Sequence, residues 1–238
     1  MSKEQIYTIP VNEAFEEGME NAERGCPFCR LHRRLELDEL DLILGASMME
    51  PDVRKKTNEQ GFCPSHYGDM MRRGKRLPLA LILQSHLQEI DGMLKKPALM
   101  PAASGGESAK QLAKMSEDCY VCQRVEHNFS NMMRTAVLLW ETDGDFRKKC
   151  ASQPYFCLPH FARYVACAKE EMKGKSFSEL YKALYKKEQE VLCGLQDKTD
   201  RFVKMFDYRY SKEPWDDAKR AIEETMPVLC GTDCSDDE

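Results

Sequence analysis

The sequence predicts an all-α protein of two tandem helical repeats, each pinned by a Cys3His metal site, with extra C-terminal helices. Three observations lead there. Apolar residues recur at helical spacing through most of the chain, no run alternates as a half-buried strand would, and one four-residue pattern of metal ligands occurs twice.

The elements follow in order. Cys26-Pro-Phe-Cys29 opens the first repeat and Cys63-Pro-Ser-His66 follows it. Leu79, Ile82, Leu83, Leu87, Ile90 and Leu94 then form one apolar stripe at helical spacing. Residues 96–108 hold Pro97, Pro101, Gly105 and Gly106 among alanines and serines, the composition of a mobile linker. Cys119-Tyr-Val-Cys122 and Cys157-Leu-Pro-His160 open the second repeat. Asp143-Gly144-Asp145 marks the end of one helix and the start of another. Phe177, Leu180, Leu184, Val191 and Leu195 give a second stripe, capped by Ser176 or Ser178. Pro214 suits the first turn of a last helix whose inner face is Trp215, Ala218, Ile222 and Leu229. In all, about nine to eleven helices are expected. They are distributed over a first repeat at 1–95, a linker at 96–108, a second repeat with C-terminal helices at 109–230, and a disordered acidic tail at 231–238.

The repeat is a duplication. The C-x2-C and C-x2-H motifs are separated by 33 residues in one half and 34 in the other, and the halves are offset by 93 and 94 positions. The similarity extends past the ligands. Phe62-Cys63-Pro64-Ser65-His66-Tyr67 matches Phe156-Cys157-Leu158-Pro159-His160-Phe161, and the segment from Glu50 to Lys56 matches that from Asp143 to Lys149.

Composition narrows the function. The chain is 42% hydrophobic and 32% charged, which is globular, and its 35 basic residues face 40 acidic ones. Four of those acids lie in the last six residues, and without them the acidic excess falls to one. So balanced a body argues against a nucleic-acid partner, which requires a basic excess to displace counterions. The longest apolar run, Leu77 to Leu83, is far short of a membrane span, and the first residues lack the basic and apolar regions of a signal peptide. A cytoplasmic location follows as the expectation. Eleven cysteines, an odd number, then point to metal or redox chemistry rather than a disulfide framework.

Three thiolates and one imidazole complete a tetrahedral site of the kind zinc takes. The expected metal ligands are Cys26, Cys29, Cys63 and His66 in the first half, and Cys119, Cys122, Cys157 and His160 in the second, holding two zinc ions. Each ion would clip a helical hairpin shut. Spacing leaves iron–sulfur clusters open as the alternative cofactor. Cys26-Pro-Phe-Cys29 alone also resembles a redox dithiol, but that reading requires a βαβ context and leaves the C-x2-H motifs unexplained. A site with four protein ligands has no open position for water, so the sites read as structural.

The remaining candidates carry bland readings. His32, His127 and His86 suit packing or solvated positions. Arg54 and Arg147 occupy equivalent places and could donate to the thiolates, or simply follow acidic helix starts. Arg72, Arg73, Lys75 and Arg76, like Lys169, Lys173 and Lys175, read as solvated helix faces. Gly174-Lys175-Ser176 lacks the earlier glycine and the strand of a phosphate loop. Cys230 and Cys234 flank the tail as possible reactive thiols, while burial is the default for Cys150, Cys167 and Cys193; the methionine pairs suit core gaps.

At the paired motifs the sequence resembles an uncharacterised bacterial family, a domain of unknown function. The resemblance rests on Ile9-Pro10-Val11-Asn12-Glu13-Ala14-Phe15, Cys26-Pro27-Phe28-Cys29, Gly61-Phe62-Cys63-Pro64-Ser65-His66, Phe206-Asp207-Tyr208-Arg209 and Pro214-Trp215. It covers nearly the whole chain except the acidic tail, and Cys119-Tyr-Val-Cys122 departs from it by lacking the proline. It implies the architecture and the ligand sets and no activity. The functional expectation is a metal-binding protein, with zinc in a structural role, that acts by binding an unknown protein or small-molecule partner between its repeats. The competing expectations are an iron–sulfur redox or sensor protein and an enzyme with a pocket between the repeats. No triad, carboxylate pair or phosphate loop favours the enzyme.

Overall fold

A computed structural model of the chain describes residues 3–20, 25–95, 101–210 and 213–232. Among them there are eleven α-helices, short 3-10 turns and no strand. The helices are α1 (Lys3–Glu20), α2 (Pro27–Ile43), α3 (Pro51–Gln60), α4 (Pro64–Arg72), α5 (Arg76–Lys95), α6 (Pro101–Glu117), α7 (Tyr120–Thr142), α8 (Gly144–Ala151), α9 (Leu158–Glu171), α10 (Lys175–Lys204) and α11 (Ala221–Cys230).

Two compact units emerge, and they do not follow the two sequence halves. One comprises Met1–Arg33 with Phe129–Glu238, the other Arg34–Asn128. The boundaries fall inside α2 and α7, so each of these helices starts in one unit and ends in the other.

The discontinuous unit is built on aromatic packing. Phe15 of α1 meets Phe28 of α2 edge-on at 5.5 Å between centroids and Phe146 of α8 at 4.7 Å. Phe28 also packs on Tyr164 of α9 at 4.9 Å and on Phe156 at 5.9 Å. All of these side chains are fully buried. Each large ring contributes burial plus about 0.5–1.5 kcal/mol of ring–ring geometry. Asp143 makes the α7–α8 break by accepting the N–H groups of Asp145 and Phe146 as an N-cap.

The continuous unit has a mainly aliphatic core. Leu40, Ile43 and Leu44 from α2 and the turn after it, Met70 of α4, Leu79 and Ile82 of α5, and Val121 and Val125 of α7 bury together with Phe62 and Tyr120.

Several expectations change. The stretch expected as a linker at 96–108 is helical from Pro101 onward, where proline takes the first position of α6 without losing an intrahelical bond. Ser108 and Met115 of that helix are buried. On α5 only Leu79 and Ile82 bury, while Leu83, Leu87 and Leu94 stay exposed. α10 begins at Lys175 with Gly174 as its N-cap, not a serine. Asp216–Arg220 is a 3-10 turn, which shifts the helical phase of α11 relative to Trp215. Ala218, Ala221 and Val228 therefore face inward, and Ile222 and Leu229 outward. Cys150 is buried, Cys167 half-buried and Cys193 exposed. Of the expected tail, Gly231 and Thr232 are described; Cys234 and the final acids lie outside the described residues.

Candidate metal centres

Each cysteine motif is the first turn of a helix. Cys63 is the N-cap of α4 and Cys157 the N-cap of α9, with proline in the first turn of both. Cys29 donates its N–H to Cys26 O at the start of α2, and Cys119 immediately precedes α7. Cysteines and histidines three apart thus point the same way from a fixed turn. The positive ends of the helices face the sulfurs and favour thiolates.

The eight expected ligands come together in two groups of four, each group spanning no more than 4.8 Å between ligand atoms. The partnership differs from the expectation of one site per half. The first centre is Cys26, Cys29, Cys157 and His160, all in the discontinuous unit; the second is Cys63, His66, Cys119 and Cys122, all in the continuous one. Each half therefore lends its C-x2-C to one centre and its C-x2-H to the other. The physical reason is that loop closure discriminates weakly. Joining Cys29 to Cys157 rather than to Cys63 costs only about 1 kcal/mol more in chain entropy, because that cost grows with the logarithm of length. Packing outweighs it, since Phe28 and Phe156, which carry the two motifs of the first centre, lie in one aromatic core.

The distances suit one ion per centre. At the first, the Sγ atoms of Cys29 and Cys157 are 3.6 Å apart, and His160 Nδ1 lies 3.1 Å from Cys157 Sγ, 3.4 Å from Cys29 Sγ and 3.9 Å from Cys26 Sγ. At the second, Cys63 and Cys122 Sγ are 3.9 Å apart, and His66 Nδ1 lies 3.1, 3.3 and 3.4 Å from the sulfurs of Cys63, Cys119 and Cys122. A tetrahedral ion with bonds of about 2.3 Å to sulfur and about 2.0 Å to nitrogen sets edges of roughly 3.5–3.8 Å. Both histidines present Nδ1 to the cluster.

Without metal, the clusters share protons unevenly. Cys29 is held well below the ordinary thiol range, chiefly by hydrogen bonds from Cys157 and Cys26, with His160 and the Thr232 N–H adding to them; burial pushes Cys26 up. Burial raises Cys119 too, but hydrogen bonds from His66 and from the N–H groups of Cys122 and Cys63 bring it down to about 6. Burial opposes charge on His66, and the hydrogen bonds to Cys119 and Glu36 raise it to about 10. In each cluster one sulfur is thus favoured as the thiolate over its neighbours.

Residues that the motifs do not reveal complete the surroundings. Glu36 Oε1 lies 3.6 Å from His66 Nε2, on the ring edge away from the sulfurs, the usual way a ligating imidazole is oriented. His160 sits between Phe28 and Phe129, at 6.1 and 5.1 Å between ring centroids. Gly231, at φ +89°, lies over the first centre; a Cβ there would stand 3.4 Å from Cys29 Sγ and 3.7 Å from Cys157 Sγ. Glu188 of α10 is buried and accepts the Phe156 N–H at 2.8 Å, which holds the residue before Cys157. Burial raises its carboxyl to about 7. A glycine after the last helix was the only one of these signals legible as a cap.

A match to a family model covers residues 1–236. The chain belongs to DUF6062, a family of unknown function. No curated protein matches the chain, and no solved structure does. Among the described residues no helix is long and apolar enough to cross a membrane.

The other candidates take structural places. Arg54 donates to Leu81 O, and Arg147 to the carbonyls of Trp140 and Glu141, so neither is bonded to sulfur. His32 packs edge-on against Phe129, and His86 pairs with Asn58 O while lying over Gly61. In the basic cluster, Arg73 and Lys75 both pair with Asp41, and Arg72 with Asp69.

Proposed function

We propose that this DUF6062 member is a binding protein that carries two zinc ions as structural staples, one per compact unit, in a reducing compartment such as the cytoplasm. The single observation that carries this is the size of the two ligand sets. Every ligand atom in a set lies within 4.8 Å of every other, the span of one tetrahedral ion. An iron–sulfur cluster spreads its ligands over separate irons and holds them further apart. Three sulfurs and one imidazole nitrogen fill four positions, so at rest neither ion keeps an open place for substrate and both hold structure. The ten described cysteines are all free, in keeping with thiols kept for metal. The duplication supports the same reading, since both halves keep a C-x2-C and a C-x2-H despite the exchange of partners.

Elemental analysis beside an ultraviolet–visible spectrum, on protein purified without oxygen, tests it. The expected result is two zinc per chain and a colourless sample. Iron with acid-labile sulfide and a brown colour would overturn the metal assignment and make electron transfer or redox sensing the function to pursue.

A further inference from the structure

The two centres share ligand chemistry and differ in what covers them. At the first, Cys26, Cys29 and Cys157 are buried and His160 is half-buried. Gly231 lies against two of the sulfurs, and the Thr232 N–H bonds to Cys29. At the second, His66 and Cys119 are buried, Cys63 is half-buried and Cys122 is exposed. The Cys63–Cys122 sulfur edge, 3.9 Å long, is the side that meets solvent.

We infer that the second centre is an exchange site, at which this protein passes its metal to, or receives it from, a thiolate-bearing acceptor, while the first centre keeps its ion. The inference rests on the metal reading above and adds to it that the second ion, a staple at rest, can be displaced. Zinc accommodates a fifth ligand transiently, so transfer is governed by whether an incoming donor can reach the ion. The open Cys63–Cys122 edge provides that approach. In the first step the acceptor's thiolate forms a bond to the ion, and the bond from the ion to Cys122 Sγ breaks with its electron pair staying on that sulfur. The freed thiolate takes a proton from water. The ion keeps its charge throughout, and nothing is oxidised or reduced. A second donor of the acceptor then replaces Cys63, and Cys119 and His66 follow.

The order follows from position. Cys122 is the exposed ligand and lies in the first turn of α7, where its side chain can turn outward without moving the helix. His66 is buried and oriented by Glu36, so it leaves last. At the first centre the same attack would have to displace Gly231 and Thr232 and open an aromatic core.

The test uses the full chain loaded with two zinc ions and mixed with excess 4-(2-pyridylazo)resorcinol, with and without a small monothiol. Samples are quenched over time with an alkylating reagent and read by mass spectrometry. One zinc per chain should leave roughly tenfold or more before the other, since thiol exposure controls access. The early rate should rise with monothiol concentration. Cys122 and Cys63 should be labelled during that phase, and Cys26, Cys29 and Cys157 only during the slow one. In Cys122→Ser the early zinc should leave faster still or be missing, with the slow phase unchanged. If that variant fails to fold, labelling of the unaltered chain decides. Two ions leaving at one rate, an early phase that labels Cys29 or Cys157, or an early rate indifferent to the monothiol would each overturn the exchange site. A chain purified without two bound ions would instead overturn the metal reading itself.

Discussion

The first centre lies in an aromatic core and the second at the edge of an aliphatic one, although both are built from one C-x2-C and one C-x2-H. Position 28 shows the divergence. Phe28 stands inside the first C-x2-C and touches Phe15, Phe129, Phe156 and Tyr164. Its repeat counterpart, Val121, is equally buried but is a small aliphatic residue in a different core. The first centre also has Gly231 and Thr232 over its sulfurs, while the second leaves Cys122 exposed. Identical ligands thus sit in environments that differ in access and in the packing that depends on them. On the proposed reading, coordination chemistry sets what binds, and the surrounding core sets how firmly it is kept.

The comparison breaks most decisively at the ligand partnership. Cys26→Ser with Cys157→Ser strikes one centre and should leave one metal per chain. Cys26→Ser with Cys63→Ser strikes both and should leave none. The opposite outcome in elemental analysis would restore one site per sequence half. The stability loss in the second pair should be the largest of any variant here, since structural zinc contributes on the order of 10 kcal/mol in small peptides and a sizeable fraction of that in a larger chain.

Next in size is the core contrast. Phe28→Ala should lower stability by about 3–5 kcal/mol in chemical denaturation. Val121→Ala should lower it by about 1.6 kcal/mol, the transfer term of two buried carbons at about 0.8 kcal/mol each. Equal losses would show that the two cores support their centres alike.

Gly231→Val sharpens the difference in cover. The left-handed backbone there disfavours a β-branched residue, and the new Cβ would lie in van der Waals contact with two sulfurs. A loss of about 1–3 kcal/mol is expected, from the strained backbone conformation. Zinc release should quicken at the first centre and stay unchanged at the second.

The last contrast is a pH dependence that Glu188 gives the discontinuous unit. Glu188 is a carboxyl raised from 4.5 to about 7 by burial. Between those values the folded protein keeps a proton that the unfolded chain has lost, so stability falls as pH rises from about 5 to 7. Glu188→Gln, which can still accept the Phe156 N–H, should flatten the thermal midpoint over that window. An unchanged slope would remove Glu188 as its source.

Much of this protein was legible in the sequence because its signals are local. Helical periodicity, proline after Cys63 and before His160, and Asp143 ahead of a helix all act within a turn or two, and the elements form where those residues stand. The eight clustered cysteines and histidines were readable for the same reason, since residues three apart on a first helical turn must point together. Glu36 and Glu188 escaped notice, because an acid on a charged helix looks alike whether it faces solvent, a ligand or a buried N–H. The Leu83–Leu94 stripe misled in the other direction; periodicity says which residues share a face, not what that face meets.

By itself, then, the sequence determined the helical class and which eight cysteines and histidines gather into clusters, both matters of neighbours along the chain. Only the tertiary structure decided which C-x2-C joins which C-x2-H, which centre is covered and which is open. Chain entropy separates those pairings by about 1 kcal/mol, less than the burial and ring packing that one aromatic core supplies. The weaker term is written in the spacing, and the stronger one exists only once the helices have met.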